Sequence, residues 1–305
     1  MKQKKWLFFA LITTIFWGVW GALIEIPEKA GFPATLGFAV WSLTMIPCAI
    51  IALRYAGWKL ETDRRSIIQG SAVGLLGAGG QLILFLALKE GPAYIVFPLI
   101  SLFPVLTIFL STLLLKERVS LKHWIGIAAA MIAIFLLSVQ PGSGQESKGY
   151  GWLWLPVLVF ILWGVQAYIM KTANARMKAE SIFFYMMITA VAMIPFALLI
   201  TDFSQPVNWG LNGPFSAFFI QILNAIGALT LVYALRYGKA VIVVPMTGLS
   251  PMITVVLSLL LYGVVPTPML FTGIVLSMAG IYLMAESLVV TSRESGVGGR
   301  ESGGF

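Results

Sequence analysis

Apolar runs of about 18 residues or more recur from one end of this chain to the other, each closed by Gly, Pro or charge. At ~1.5 Å of rise per helical residue, each run can cross a hydrocarbon layer ~30 Å thick. The pattern predicts ten helices, over 6–24, 34–53, 67–88, 94–115, 123–140, 152–170, 181–200, 215–236, 241–262 and 269–285. Pro27, Pro33, Pro92, Pro206, Pro214, Pro266 and Pro268 punctuate the joints. The polar stretch 141–149 falls after the fifth span and reads as a linker.

The pattern repeats. Residues 87–115 align without a gap on 234–262, shifted by 147 positions, and fourteen of the 29 aligned residues are identical. The matches include Gly91/Gly238, Pro98/Pro245 and Pro104/Pro251. Five spans per half is an odd number, so the second half must lie upside down relative to the first. Inverted repetition at this scale is the mark of alternating-access carriers, whose solute site lies near the midplane between the halves. The expected fold is all-α and integral to the membrane, with two inverted five-helix repeats over 1–140 and 150–286 and a disordered tail over 287–305.

Composition closes off other classes. The chain is 59% hydrophobic and 10% charged, with mean hydropathy +0.93, whereas soluble domains average about 25% charged residues. No length remains for a soluble catalytic domain, and no Gly-x-x-x-x-Gly-Lys-Ser/Thr loop is present for ATP. An intramembrane enzyme would need clustered catalytic groups at depth, but His123 is the sole histidine and follows a basic loop. The single cysteine, Cys48, rules out an internal disulfide and reads as a small apolar helix residue. Neither metal nor cofactor is expected.

The net charge of +8 does not point to nucleic acid, because the basic residues sit in short loops beside apolar spans. Seventeen of the 20 Lys and Arg residues fall at the termini and in the loops after even-numbered spans. The positive-inside bias therefore predicts both termini in the cytoplasm.

Polar groups at depth are the candidate chemistry. Trp17, Gln81, Trp163 and Asn224 fall near the middle of their spans, with Trp20, Gln166 and Gln221 within about one and a half turns. Amides in hydrocarbon are costly unless they face a cavity or a partner helix, so these are candidates for solute binding or for interhelical bonds. Indoles usually sit at the interface, as Trp6, Trp58, Trp124, Trp152 and Trp154 are placed to do, and Trp17 and Trp163 break that habit. Ser101 and Thr247, beside Pro98, Pro104, Pro245 and Pro251, could bind solute or the carbonyls that prolines free. The four prolines are candidate hinges. Gly70, Gly74, Gly77, Gly79 and Gly80 in span three read as a close-packing stripe. No ionisable residue lies at the midplane, which disfavours a carboxylate proton relay and fits a neutral or zwitterionic solute. Glu25, at the end of span one, is the candidate for coupling to protons.

Several features together resemble the drug/metabolite transporter superfamily, specifically its ten-span EamA-type carriers. They are Phe16-Trp17-Gly18 with its echo Leu162-Trp163-Gly164, the paired-proline fourth and ninth spans, and Leu113 to Ser120 running into Gly126. The resemblance covers about residues 6–286. It implies a central cavity lined mainly by spans one, three, four, six, eight and nine, a bacterial inner-membrane location, and movement of small organic metabolites, often outward. Uptake of a sugar or nucleoside is the nearest alternative. Glu117 has no counterpart in the second half, where Val264 stands, so a loop-anchoring ion pair with Arg118 or Lys122 is expected of it.

Overall fold

The computed structural model describes residues 5–90, 93–138, 151–262 and 266–297, and every long element among them is a helix. In chain order these are α1 (Lys5–Leu23), α2 (Glu25–Lys29), α3 (Ala34–Tyr55), α4 (Arg64–Glu90), α5 (Ala93–Ser101), α6 (Phe103–Leu113) and α7 (Leu121–Ser138). The second half follows as α8 (Trp154–Ala173), α9 (Ala179–Ala192), α10 (Ile194–Ile200), α11 (Ser216–Tyr237), α12 (Ala240–Thr247), α13 (Ser250–Tyr262) and α14 (Pro268–Val297). Nine stretches of the described residues are long and apolar enough to cross a membrane, and the shorter apolar stretch Leu99–Leu113 lies where the fourth crossing is expected.

Three crossings are broken, and the breaks share a cause. Span four divides at Leu102, span seven at Met193 and span nine at Gly248 and Leu249. Each break is followed by a proline as the second residue of the next helix: Pro104, Pro195 and Pro251. A first-turn N–H has no intrahelical partner in any case, so proline costs nothing there and forbids continuation from the preceding turn. The chain therefore breaks before Pro104 and Pro251, not at Pro98 or Pro245, which lie inside α5 and α12.

Pro27 stands at the joint after span one, buried inside the short helix α2. One further expectation, the start of the tail at 287, is corrected. Helix α14 runs on to Val297, because nothing between Glu286 and Ser295 breaks a helix; 298–305 and the linker 141–149 lie outside the described residues. Of the tryptophans at span ends, Trp6 and Trp152 are packed within the protein, while Trp58, Trp124 and Trp154 are exposed.

The halves interlock. Helix α1 packs on α11 and α13 of the second half, and its counterpart α8 packs on α4 and α6 of the first. Likewise α3 packs on α11 and α9 on α4, and the two fifth spans, α7 and α14, pair with each other. Small residues make these approaches possible. A Cβ on Gly18 would lie 2.4 Å from Ile253, and one on Gly164 would lie 2.7 Å from Leu106. The Oγ1 of Thr254 donates to the Gly18 carbonyl at 2.9 Å, and Thr107 donates to the Gly164 carbonyl at 2.9 Å. Ile253 and Thr254 stand 147 positions after Leu106 and Thr107. The repeat thus holds down to single hydrogen bonds.

The two faces are tied differently. On the near face, where α1 begins, the Glu61 carboxylate accepts from Lys178 N at 3.3 Å and from the Ser181 hydroxyl, and the Tyr185 hydroxyl donates to the Glu61 carbonyl at 2.6 Å. Asp63 opens α4 by accepting from Ser66 Oγ at 2.6 Å and Ser66 N at 3.2 Å, which holds its carboxyl below the usual range. Glu117 forms no ion pair with Arg118 or Lys122. Its two oxygens accept the first N–H groups of α12, Ala240 at 3.2 Å and Val241 at 3.0 Å, because an unsatisfied helix start attracts a carboxylate. On the far face the ties between the halves are neutral among the described residues. Asn208 Nδ2 donates to the Ala30 carbonyl at 2.8 Å, and its N–H donates to Gly31 at 2.9 Å. Gly31 has φ of 89°, a conformation that favours glycine.

Candidate functional site

Between the halves lies a cavity of about 340 Å³. Eight of the nine residues expected to meet solute line it: Trp17 and Trp20 from α1, Gln81 from α4, Ser101 from α5, Trp163 and Gln166 from α8, Asn224 from α11 and Thr247 from α12. Spans one, three, four, six, eight and nine all contribute, as the family resemblance implies. No Asp, Glu, Lys, Arg or His is among the lining residues.

The indoles are anchored by backbone, each across the half boundary. Trp17 Nε1 donates to the Asn224 carbonyl and Trp163 Nε1 to the Gly77 carbonyl, both at 3.3 Å. Each ring also lies on a glycine one turn further along: a Cβ on Gly227 would come within 2.4 Å of the Trp17 ring, and one on Gly80 within 2.4 Å of the Trp163 ring. The glycine stripe of α4 thus has identified contacts, with Gly70 on Tyr185, Gly74 on Thr189, Gly77 on Gln166 and Gly80 on Trp163. Phe103 closes against Trp163 edge-on, with ring centroids 5.9 Å apart.

The amides divide into two kinds. Gln221 is buried behind the wall, and its Oε1 accepts from Trp20 Nε1 at 3.0 Å, so it fixes an indole and does not line the cavity. The amide side chains of Gln81, Gln166 and Asn224 line the cavity and make no hydrogen bond to any described residue. They are only partly buried, so their donors and acceptors remain available. Thr247 Oγ1 is engaged by the Val244 carbonyl at 3.1 Å.

Other expected residues lie elsewhere. Glu25 is 63% exposed at the far mouth, paired with Lys29 at 2.5 Å, and is not a lining residue. Of the four hinge candidates, Pro251 lines the cavity, and Pro104 is buried one position beyond Phe103. Among the described residues no group of three or more His, Cys, Asp or Glu could hold a metal ion. The sequence reading missed Trp41 and Met45 of α3 and Met186 of α9, all of which line the cavity. Trp41 is as deep in its span as Trp17, so the same mid-span argument would have found it. Its Nε1 is buried without a partner among the described residues.

Comparison with known proteins decides the family. Residues 4–139 and 149–285 each match the EamA-like transporter family, one match per half. The chain belongs to the EamA-like transporter family. Members of this family are membrane transporters and not enzymes, so this EamA-like protein is a multi-pass membrane protein that moves small molecules. It is similar over nearly its whole length to a probable terminal-alkyne amino-acid exporter of Streptantibioticus cattleyicolor, at 24% identity covering 98% of this chain and 100% of the relative. It is also similar to an uncharacterized protein of Methanocaldococcus jannaschii, 34% identical over 134 residues, which are 44% of this chain and 96% of that one. A solved structure described only as a protein crystal structure shares the fold, with TM-score 0.73, 17% identity and coverage of 92% of this chain and 98% of the other.

Proposed function

We propose that this EamA-like protein is a secondary carrier that exports a small neutral or zwitterionic organic metabolite, amino-acid-like or amphipathic, by alternating access. The observation that carries the reading is the set of three unengaged amides, Gln81, Gln166 and Asn224, in an uncharged, indole-framed cavity. A strongly ionic solute would find no counter-charge there, and its desolvation would go uncompensated. A solute with both donors and acceptors would find partners for each. A volume of about 340 Å³ lies at the lower end of small-molecule pockets, roughly 300–1,000 Å³. The full-length exporter relative, whose description names an amino acid, agrees with the class and direction. The near face is the cytoplasmic one in this reading, on the Lys and Arg bias, and the membrane is the bacterial inner membrane.

The test is counterflow in proteoliposomes with a labelled panel of amino acids, nucleosides and sugars, after a thermal-shift screen of the same panel. Gln81→Ala and Asn224→Ala should each weaken apparent affinity for the responding solute about five- to tenfold, with membrane insertion unchanged. Unchanged affinity in both variants, or a responding solute with net charge, would refute the assignment. A sugar or nucleoside concentrated from the far side would reverse the direction.

A further inference from the structure

On its near side the cavity ends at Met170, Leu231 and Val244. Immediately beyond them lies a polar layer that ties the halves together. Lys171, next to Met170, donates through Nζ to the Leu235 carbonyl at 2.9 Å and the Gly238 carbonyl at 2.5 Å, closing the end of α11. Glu117 spans the start of α12 through the Ala240 and Val241 N–H groups and interacts electrostatically with Lys171. Lys239 Nζ returns to the Arg118 carbonyl at 2.5 Å. Glu117 ends the fourth span of the first half, and α12 begins the ninth, so the contact crosses the boundary along which such halves must part.

The repeat makes this layer one-sided. By the same register Glu117 corresponds to Val264 and Lys239 to Pro92, and by the shift of 146 that pairs Trp17 with Trp163, Lys171 corresponds to Glu25. The sequence of the far face therefore has neither a carboxylate at the position facing a helix start nor a lysine at the position closing a helix end. Glu25, the one charge of that set, is exposed and paired within its own turn. The carboxylate on a helix start and the lysine on a helix end thus stand at one gate alone.

We propose that Glu117 is a gating residue. Its carboxylate on the α12 start holds the near side of the cavity closed, and that contact must break before solute can enter from that side. The inference rests on the alternating-access reading above. The charge-assisted bonds to two backbone N–H groups bias the empty carrier towards a closed near face. A solute that binds the near-open state more tightly offsets that bias.

The experiment reads accessibility without any solute, so it can fail independently of the substrate assignment. In a Cys48→Ser background, Leu231→Cys reports on the near end of the cavity, and a membrane-impermeant maleimide is applied to either face in oriented vesicles. Glu117→Gln should raise the labelling rate from the near face about tenfold, the factor for ~1.4 kcal/mol, and lower it from the far face. Lys171→Gln, which removes the other arm of the layer, should shift labelling in the same direction and serves if Glu117→Gln is lost from the membrane. Both rates equal to those of the parent, in a variant with an unchanged melting temperature, would overturn the proposal. A rise from both faces together would overturn it too, since that reports loosening and not a gate.

Discussion

Replacing Gly227 by Ala adds one methyl group where the structure leaves no room for it. The new Cβ would lie 2.4 Å from both Cδ1 and Nε1 of Trp17, and ordinary van der Waals contact would require about 1 Å more. The indole has to tilt away, and its bond to the Asn224 carbonyl at 3.3 Å is lost with the tilt. Overpacking of this kind costs about 1–3 kcal/mol and the hydrogen bond about 1 kcal/mol, offset by ~1 kcal/mol of helix propensity gained by Ala. The net loss is about 1–3 kcal/mol, a fall of roughly 5 °C in the melting temperature of the detergent-solubilised protein. Gly80→Ala against Trp163 should behave alike, since its Cβ would also come within 2.4 Å of the ring. Gly79→Ala is the control, because its Cβ meets only Met193 Cε at 3.8 Å. Trp17→Phe should relieve Gly227→Ala in a double-mutant cycle, as the smaller ring leaves space. Equal melting temperatures for Gly79→Ala and Gly80→Ala, or additive losses in the cycle, would refute the reasoning.

Two further outcomes are expected. Thr107→Val and Thr254→Val keep shape but remove the bonds to Gly164 and Gly18; each should cost about 0.5–1.5 kcal/mol by thermal denaturation, and the double variant should approach the sum. Pro104→Ala with Pro251→Ala should slow single-turnover counterflow more than it changes affinity, and more than the pair Pro98→Ala and Pro245→Ala, because the helices break before the former pair.

The spans, the repeat and the cavity's three free amides were legible in the sequence because each depends on position along a single helix. A run of 18 apolar residues, a proline spacing or an amide nine residues into a span can be read without knowing its neighbours. What could not be read were partners. Glu117 has cations on either side in the sequence, yet its partners are two N–H groups more than 120 positions away. Gln221 and Asn224 look equivalent on one helix, separated by less than a turn, but one holds Trp20 while the other faces the cavity. Trp41 carries the same signal in its depth, but the seventh span has no tryptophan to match it. The break before Pro104 follows from the free N–H groups of a first turn, which a count of prolines does not reveal.

The exchanged seating of α1 and α8 bears on how the chain is made. When the first five spans have entered the bilayer, α1 faces lipid with the bare backbone at Gly18 and Gly21, since its grooves await Ile253 and Thr254. The glycine column of α4 waits in the same way for Trp163 and Gln166. Neither set of spans carries its own interior, so insertion must run ahead of folding until ribosomes deliver the later partners.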